Sequence, residues 1–246
     1  MRGLIGLHLG FTLRTLVRSP GYWVPTLLFP CMLFLFFGVH LSTGDPDAAA
    51  LIMASWCCYA VIGVAFYQFG VGIAQDRESE WENYVRVLPA PALARIAARA
   101  MVGAIFAVAA AALVGFAAIV LTPVDVDVDV VARLGIALLI GSLPFALLGI
   151  GLGYWVSAKS AVPIANLLYL PLSYAGGLWI PPDRLPSALY DVSLMLPTRR
   201  LGEVAWASVR GIPASAEHWL WLLGFTVIFG LIALWGYRRD EGERYA

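Results

Sequence analysis

The chain has 246 residues, 61% of them hydrophobic, at a mean hydropathy of +0.81, whereas soluble domains carry about 45–50% apolar residues. Its 16 basic and 16 acidic residues cancel, so no basic surplus points to nucleic acid as a partner. This composition excludes an ordinary soluble enzyme and fits an integral membrane protein.

Six uncharged stretches are long enough to cross a bilayer: Tyr22–Leu41, Ala48–Ala74, Ala100–Val124, Leu134–Ala158, Ser160–Pro182 and Trp219–Tyr237. A helix rises about 1.5 Å per residue and the hydrocarbon core is roughly 30 Å thick, so about 20 apolar residues make one span. Every backbone amide in lipid needs an internal partner, and the alternating pattern of a barrel is absent, so the spans are predicted to be helices. The expected fold is an all-α membrane protein whose single transmembrane domain fills residues 1–246.

Residues 1–18 read as an interfacial helix, with Ile5, Leu9 and Leu16 on one side and Arg14 and Arg18 elsewhere, before the turn at Ser19-Pro20-Gly21. The segment lacks the uninterrupted apolar core of a cleavable signal. Cys31, Cys57 and Cys58 fall within spans, where a thiol behaves as a small hydrophobe, and no disulfide or metal-binding spacing is present.

The loop after the second span, 75–95, is expected to be cytoplasmic. In it Trp81, Val85 and Leu88 recur at helical spacing while Glu78, Glu82 and Arg86 form a charged row, and Pro89 stops the helix. Such an amphipathic helix docks on a soluble partner or lies on lipid; the pattern alone leaves both open. Further on, Asp125, Asp127 and Asp129 alternate with valines in a short loop that reads as solvated, since no glycine turn or further oxygen ligands accompany it. Residues 183–216 form an outer segment too interrupted for a span and too apolar for an ordinary loop, which predicts re-entrant or interfacial helices.

Basic residues hold membrane segments to the cytoplasm. With both termini inside, 11 basic residues are cytoplasmic and five (Arg133, Arg184, Arg199, Arg200, Arg210) are outside. Both termini are therefore predicted cytoplasmic, in a multi-pass protein of the inner (cytoplasmic) membrane. The spans carry almost no ionisable residues, and the polar interior candidates are Gln68, Asn166 and Ser173, with His40 near an outer end. HExxH, nucleophile-elbow and paired-carboxylate motifs are missing, which argues against membrane-embedded catalysis. The run from Gly153 to Ser160 lacks the glycine before Lys159 and ends an apolar span, so it is no phosphate-binding loop. The Gly149, Gly151, Gly153 pattern beside it is read as close helix packing.

Several motifs occur in order. Arg18-Ser-Pro20 precedes Pro25 and Pro30; Arg77-Glu78-Ser79-Glu80 is followed by Val87-Leu88-Pro89; and the outer segment holds Gly177-Leu-Trp-Ile-Pro181, Leu185-Pro186 and Leu196-Pro-Thr198. Together they resemble the permease (transmembrane) subunit of the type 2 ABC exporter family, in its drug-exporter-like branch. The Gly-Thr pair that usually follows Arg-Glu in this family is missing.

The resemblance implies a subunit that is no enzyme by itself. It would pair with a second permease, as a homodimer in the membrane lipid, and with two copies of a cytoplasmic ABC ATPase. Cofactors are expected on the partner only: ATP and Mg on the ATPase, none on this chain. Arg77, Glu78, Trp81, Glu82, Val85, Arg86 and Leu88 would form the ATPase-coupling helix. By analogy Phe34, Phe37, Phe66, Asn166, Tyr169 and Ser173 would line the cargo path. An aromatic, uncharged path implies efflux of a drug, natural product or lipid. The competing classes are an ATPase-independent secondary transporter or channel, which the sparse intramembrane charge disfavours, and a noncatalytic membrane scaffold.

Overall fold

The structure, a computed structural model, describes residues 2–42, 44–79 and 92–245, with side chains at all of these except 2–5, 7, 8, 92–96 and 242–245. Among the described residues all regular structure is helical. In chain order the helices are α1 (Arg2–Val17), α2 (Pro20–Leu41), α3 (Pro46–Arg77), α4 (Ala92–Leu121), α5 (Val128–Gly141), α6 (Leu143–Trp155), α7 (Ala158–Ala175), α8 (Ser187–Ser193), α9 (Pro197–Val209) and α10 (Ala216–Tyr245).

Among the described residues five helices are long and apolar enough to cross a membrane: α2, α3, α4, the α5–α6 pair as one unit, and α10. The sequence count is six. The remaining candidate, Ser160–Pro182, is helical only over the 18 residues of α7, where Lys159, Asn166, Pro163 and Pro171 dilute its apolar content. It ends because Gly177 takes φ +78°. The Leu178 amide donates to Ser173 O and the Gly177 amide to Tyr174 O, at 3.1 and 3.0 Å. This is a Schellman cap, which needs a left-handed residue and so selects glycine. The same device ends α9 at Gly211, where Ile212 N donates to Ala207 O at 3.1 Å.

Local sequence sets the other breaks. Asp45 starts α3 by accepting from the Asp47 amide at 3.1 Å, with Pro46 in the first turn. Pro25 and Pro30 remove amide donors from α2, which responds with two π-helical stretches, Val24–Leu28 and Phe34–Gly38, where Phe29 N donates to Val24 O and Val39 N to Phe34 O. Pro144 splits α5 from α6 at Ser142, whose hydroxyl donates to Leu139 O at 2.9 Å.

Helix α3 is the centre of the bundle: 94% of its spanning window is buried, against 22% for α2 and 17% for α10. It packs on α4, α6, α7, α9 and α2, while α6 lies along α10 and α1 lies along α4. The outer helices present Phe36, Phe116, Leu167 and Trp235 to the surroundings, an exterior suited to lipid. The tightest crossing lies between the π-helical stretch of α3, Phe66–Val71, and α6. A Cβ on Gly149 would sit 2.9 Å from Ala65 O, and one on Gly153 would sit 2.8 Å from Gly70 O. The glycine pattern therefore does serve close backbone approach.

Gly153→Ala is expected to force α3 and α6 apart and cost about 1–3 kcal/mol, the usual range for overpacking. Gly135→Ala, where a Cβ meets nothing within 4 Å, is expected to leave the melting temperature unchanged or raise it. Thermal unfolding of both variants in one detergent checks the contrast.

Candidate functional site

Arg77 and Glu78, shortly before residues 80–91, which lie outside the described residues, sit in a polar junction at one end of the bundle. Arg77, at the end of α3, donates from Nη1 to Gly153 O and Tyr154 O at 2.9 and 3.0 Å and from Nε to Asp240 Oδ1 at 2.9 Å. Its Nη2 also pairs with Asp240. The carbonyls ending a helix lack intrahelical partners and carry negative partial charge, so a guanidinium there caps α6. Glu78 does the converse: its Oε1 accepts from the Ala158 amide at 2.8 Å, at the start of α7. Two consecutive side chains thus tie the end of α3 to α6, α7 and α10. The side chain of Arg77 is 19% exposed and that of Asp240 6%, so the pair is held inside the subunit. Arg99 of α4 pairs with Asp76 nearby, but this contact is exposed and adds little.

The second region is aromatic. Tyr59 of α3 and Tyr169 of α7 stack at 4.6 Å between ring centroids, and Tyr169 Oη donates to Tyr59 O at 2.8 Å. Trp179 meets Trp56 and Tyr59 at 5.6 Å each and donates from Nε1 to Ser173 Oγ at 3.0 Å. Phe37 reaches Trp179 at 5.8 Å and Phe66 reaches Tyr169 at 5.9 Å. Tyr67 Oη donates to Asn166 Oδ1 at 3.3 Å. Beside the cluster lies an open groove of about 320 Å³, bordered by Phe36, Phe37, His40, Tyr174, Trp179 and Ile180 among others.

Helix α9 is anchored to the spans. Trp206 of α9 donates from Nε1 to Ser55 Oγ of α3 at 2.7 Å, and Thr198 Oγ1 donates to Leu172 O of α7 at 2.7 Å. The buried guanidiniums of α9 are paired: Arg199 with Glu203 at 2.7 Å and Arg200 with Glu217 at 2.8 Å, as buried charges require.

A bundle of apolar helices, with ion pairs towards both ends of α10 and an aromatic groove between α2 and the end of α7, is the setting in which the family comparison becomes informative. The sequence model of the ABC-2 type transporter family matches residues 6–209. The chain belongs to the ABC-2 type transporter family. A relative from Bacillus subtilis (strain 168), described as "Putative transport permease YvfS", is 24% identical over 232 residues, which is 93% of this chain and 95% of that protein. The ABC-2 permease is thus a multi-pass membrane protein, as its apolar helices require, and its family implies an ABC ATPase as partner.

Of the residues assigned to the coupling helix, Trp81, Glu82, Val85, Arg86 and Leu88 lie outside the described residues. Arg77 and Glu78 are placed, and both face other helices of this ABC-2 permease through their hydrogen bonds. Of the six proposed cargo contacts, Phe34, Phe66, Tyr169 and Ser173 are buried within the subunit. Only Phe37 borders the groove, and Asn166 is half-buried. Sequence reasoning missed Asp240, which reads as one more charge in the Arg238-Arg239-Asp240-Glu241 tail. The signal was Arg77 itself, because a guanidinium directly after a long apolar span needs a carboxylate. It also missed Trp56 and Tyr59, which carry no polar pattern that sets them apart from core.

Tyr169→Phe keeps the stack and loses one hydrogen bond, an expected cost of about 0.5–1.5 kcal/mol. Tyr169→Ala also empties the ring's place and is expected to cost about 3–5 kcal/mol. Melting curves of the purified variants check the ordering.

Proposed function

We propose that this chain is the membrane subunit of an ATP-driven exporter that moves a hydrophobic or amphiphilic compound, a drug, natural product or lipid, out of the cytoplasm or inner leaflet. Two copies form a homodimer served by two cytoplasmic ATPase subunits. In this reading α7 completes six spans, both termini are cytoplasmic, and α8 and α9 lie at the outer face of the cytoplasmic membrane.

The observation that carries the proposal is the junction at the end of α3. Residues 80–91 follow closely in the chain on Arg77 and Glu78, whose bonds reach α6, α7 and α10. A push on that loop by an ATPase is delivered to three helices at once, as a near-rigid displacement. Helix α7 carries Tyr169 and Tyr174, so movement at its start is felt at the aromatic groove. That groove is walled mainly by apolar and aromatic side chains, with His40 and Tyr174 as its polar members, which suits an apolar or amphiphilic cargo better than a charged polymer.

The test is transport in inverted vesicles that contain the chain and its ATPase, with a fluorescent amphiphile as cargo. ATP-dependent accumulation is expected. Movement of the same cargo without ATP would replace this reading with a secondary transporter. Glu78→Lys removes the acceptor at the α7 amide and is expected to lower cargo moved per ATP by about tenfold, the scale of typical coupling energies. An unchanged ratio would remove Glu78 from the coupling path.

A further inference from the structure

Asp240 lies in the last quarter of α10, after its apolar part, and is 6% exposed. A carboxylate in such a tail normally turns to water. This one faces inward because Arg77 receives it there: Nε donates at 2.9 Å and Nη2 pairs with the same oxygen. The neighbouring surface is closed by rings. Arg77 lies over Tyr154 at 5.5 Å, Tyr154 meets Tyr237 at 5.5 Å, and Arg239 covers Trp155 at 5.0 Å, with Trp155 against Trp235 at 4.4 Å. The ends of α3, α6 and α10 are therefore joined by one charge pair inside an aromatic collar.

We infer that Asp240 is a positioning residue for transport: it acts through Arg77 to make the C-terminal helix move with the end of α3. The inference rests on the coupling role given above to the loop at 80–91 and adds the C-terminal helix to the moving body. Helix α10 packs against α6. A displacement at Arg77 then reaches the exposed outer surface of the bundle and not only α7. Removal of the carboxylate leaves Arg77 attached to the Gly153 and Tyr154 carbonyls but frees α10 from it.

The test uses the full chain in nanodiscs with spin labels at Gln75→Cys and Arg238→Cys, both exposed positions. With labelled chains diluted in unlabelled ones, so that distances within one chain are read, the native residue at 240 is expected to give one narrow label-to-label distance. Asp240→Asn and Asp240→Ala are expected to broaden it or add a second population, with Asp240→Glu restoring it. In vesicles with the ATPase, Asp240→Ala and Asp240→Asn are expected to lower cargo moved per ATP by about tenfold, and Asp240→Glu to recover most of it. If Asp240→Ala fails to fold, the isosteric Asp240→Asn reads the same quantities. An unbroadened distance, or a native ratio of cargo to ATP in the Asn variant, overturns the inference. If the native chain moves no cargo with ATP, the exporter reading fails, and the distance measurement still decides whether Asp240 holds α10 to α3.

Discussion

The backbone contact between α3 and α6 is the constraint on which the other features depend. Lipid offers no hydrophobic drive for one apolar helix to leave it for another, so close packing and internal hydrogen bonds must hold the bundle together. At Gly70, Gly149 and Gly153 the two backbones approach until no side chain fits between them. That proximity puts the last carbonyls of α6 within reach of Arg77, and Arg77 then collects Asp240 from α10. A bulky side chain at the crossing would part the helices and leave a guanidinium and a carboxylate without partners in a poorly hydrated place, a far larger cost than the lost contact itself.

The same economy governs the interruptions. Proline in α2 and between α5 and α6 deletes amide donors, and the chain answers with π-helical turns or a break at Ser142. Such turns leave a span less rigid than an uninterrupted helix. In this protein they fall in α2 and in the part of α3 that faces α6 and α7, next to the aromatic cluster, whereas the α6–α10 pair is regular. Helix α9 is riveted to α3 and α7 by Trp206 and Thr198.

Much of the fold was legible in the sequence because long apolar runs and prolines are one-dimensional signals. The spans through α2, α3, α4 and α10 follow from them. The fifth expected span was overextended. Gly176 to Pro182 are apolar enough to continue a helix by composition, and only the left-handed conformation at Gly177, with Pro182 packed against it, turns the chain away. At the candidate site the family motifs located Arg77 and Glu78, but their partners Asp240, Gly153 and Ala158 are 163, 76 and 80 residues away in sequence. No local pattern encodes a pairing of that separation. Of the cargo contacts carried over by resemblance, Phe34, Phe66, Tyr169 and Ser173 are buried in this subunit; an aromatic residue facing a path and one facing a core look alike in sequence.

The central claim is that this ABC-2 permease does its work under the drive of an ATPase engaged at the loop following α3. Purification of the tagged chain from its native membrane in mild detergent, with mass spectrometry of the soluble proteins that remain bound, tests it most directly. The account predicts recovery of an ABC ATPase, and its loss when residues 80–91 are replaced by a Gly/Ser linker. A preparation that holds no ATPase and still moves cargo across vesicles would contradict it.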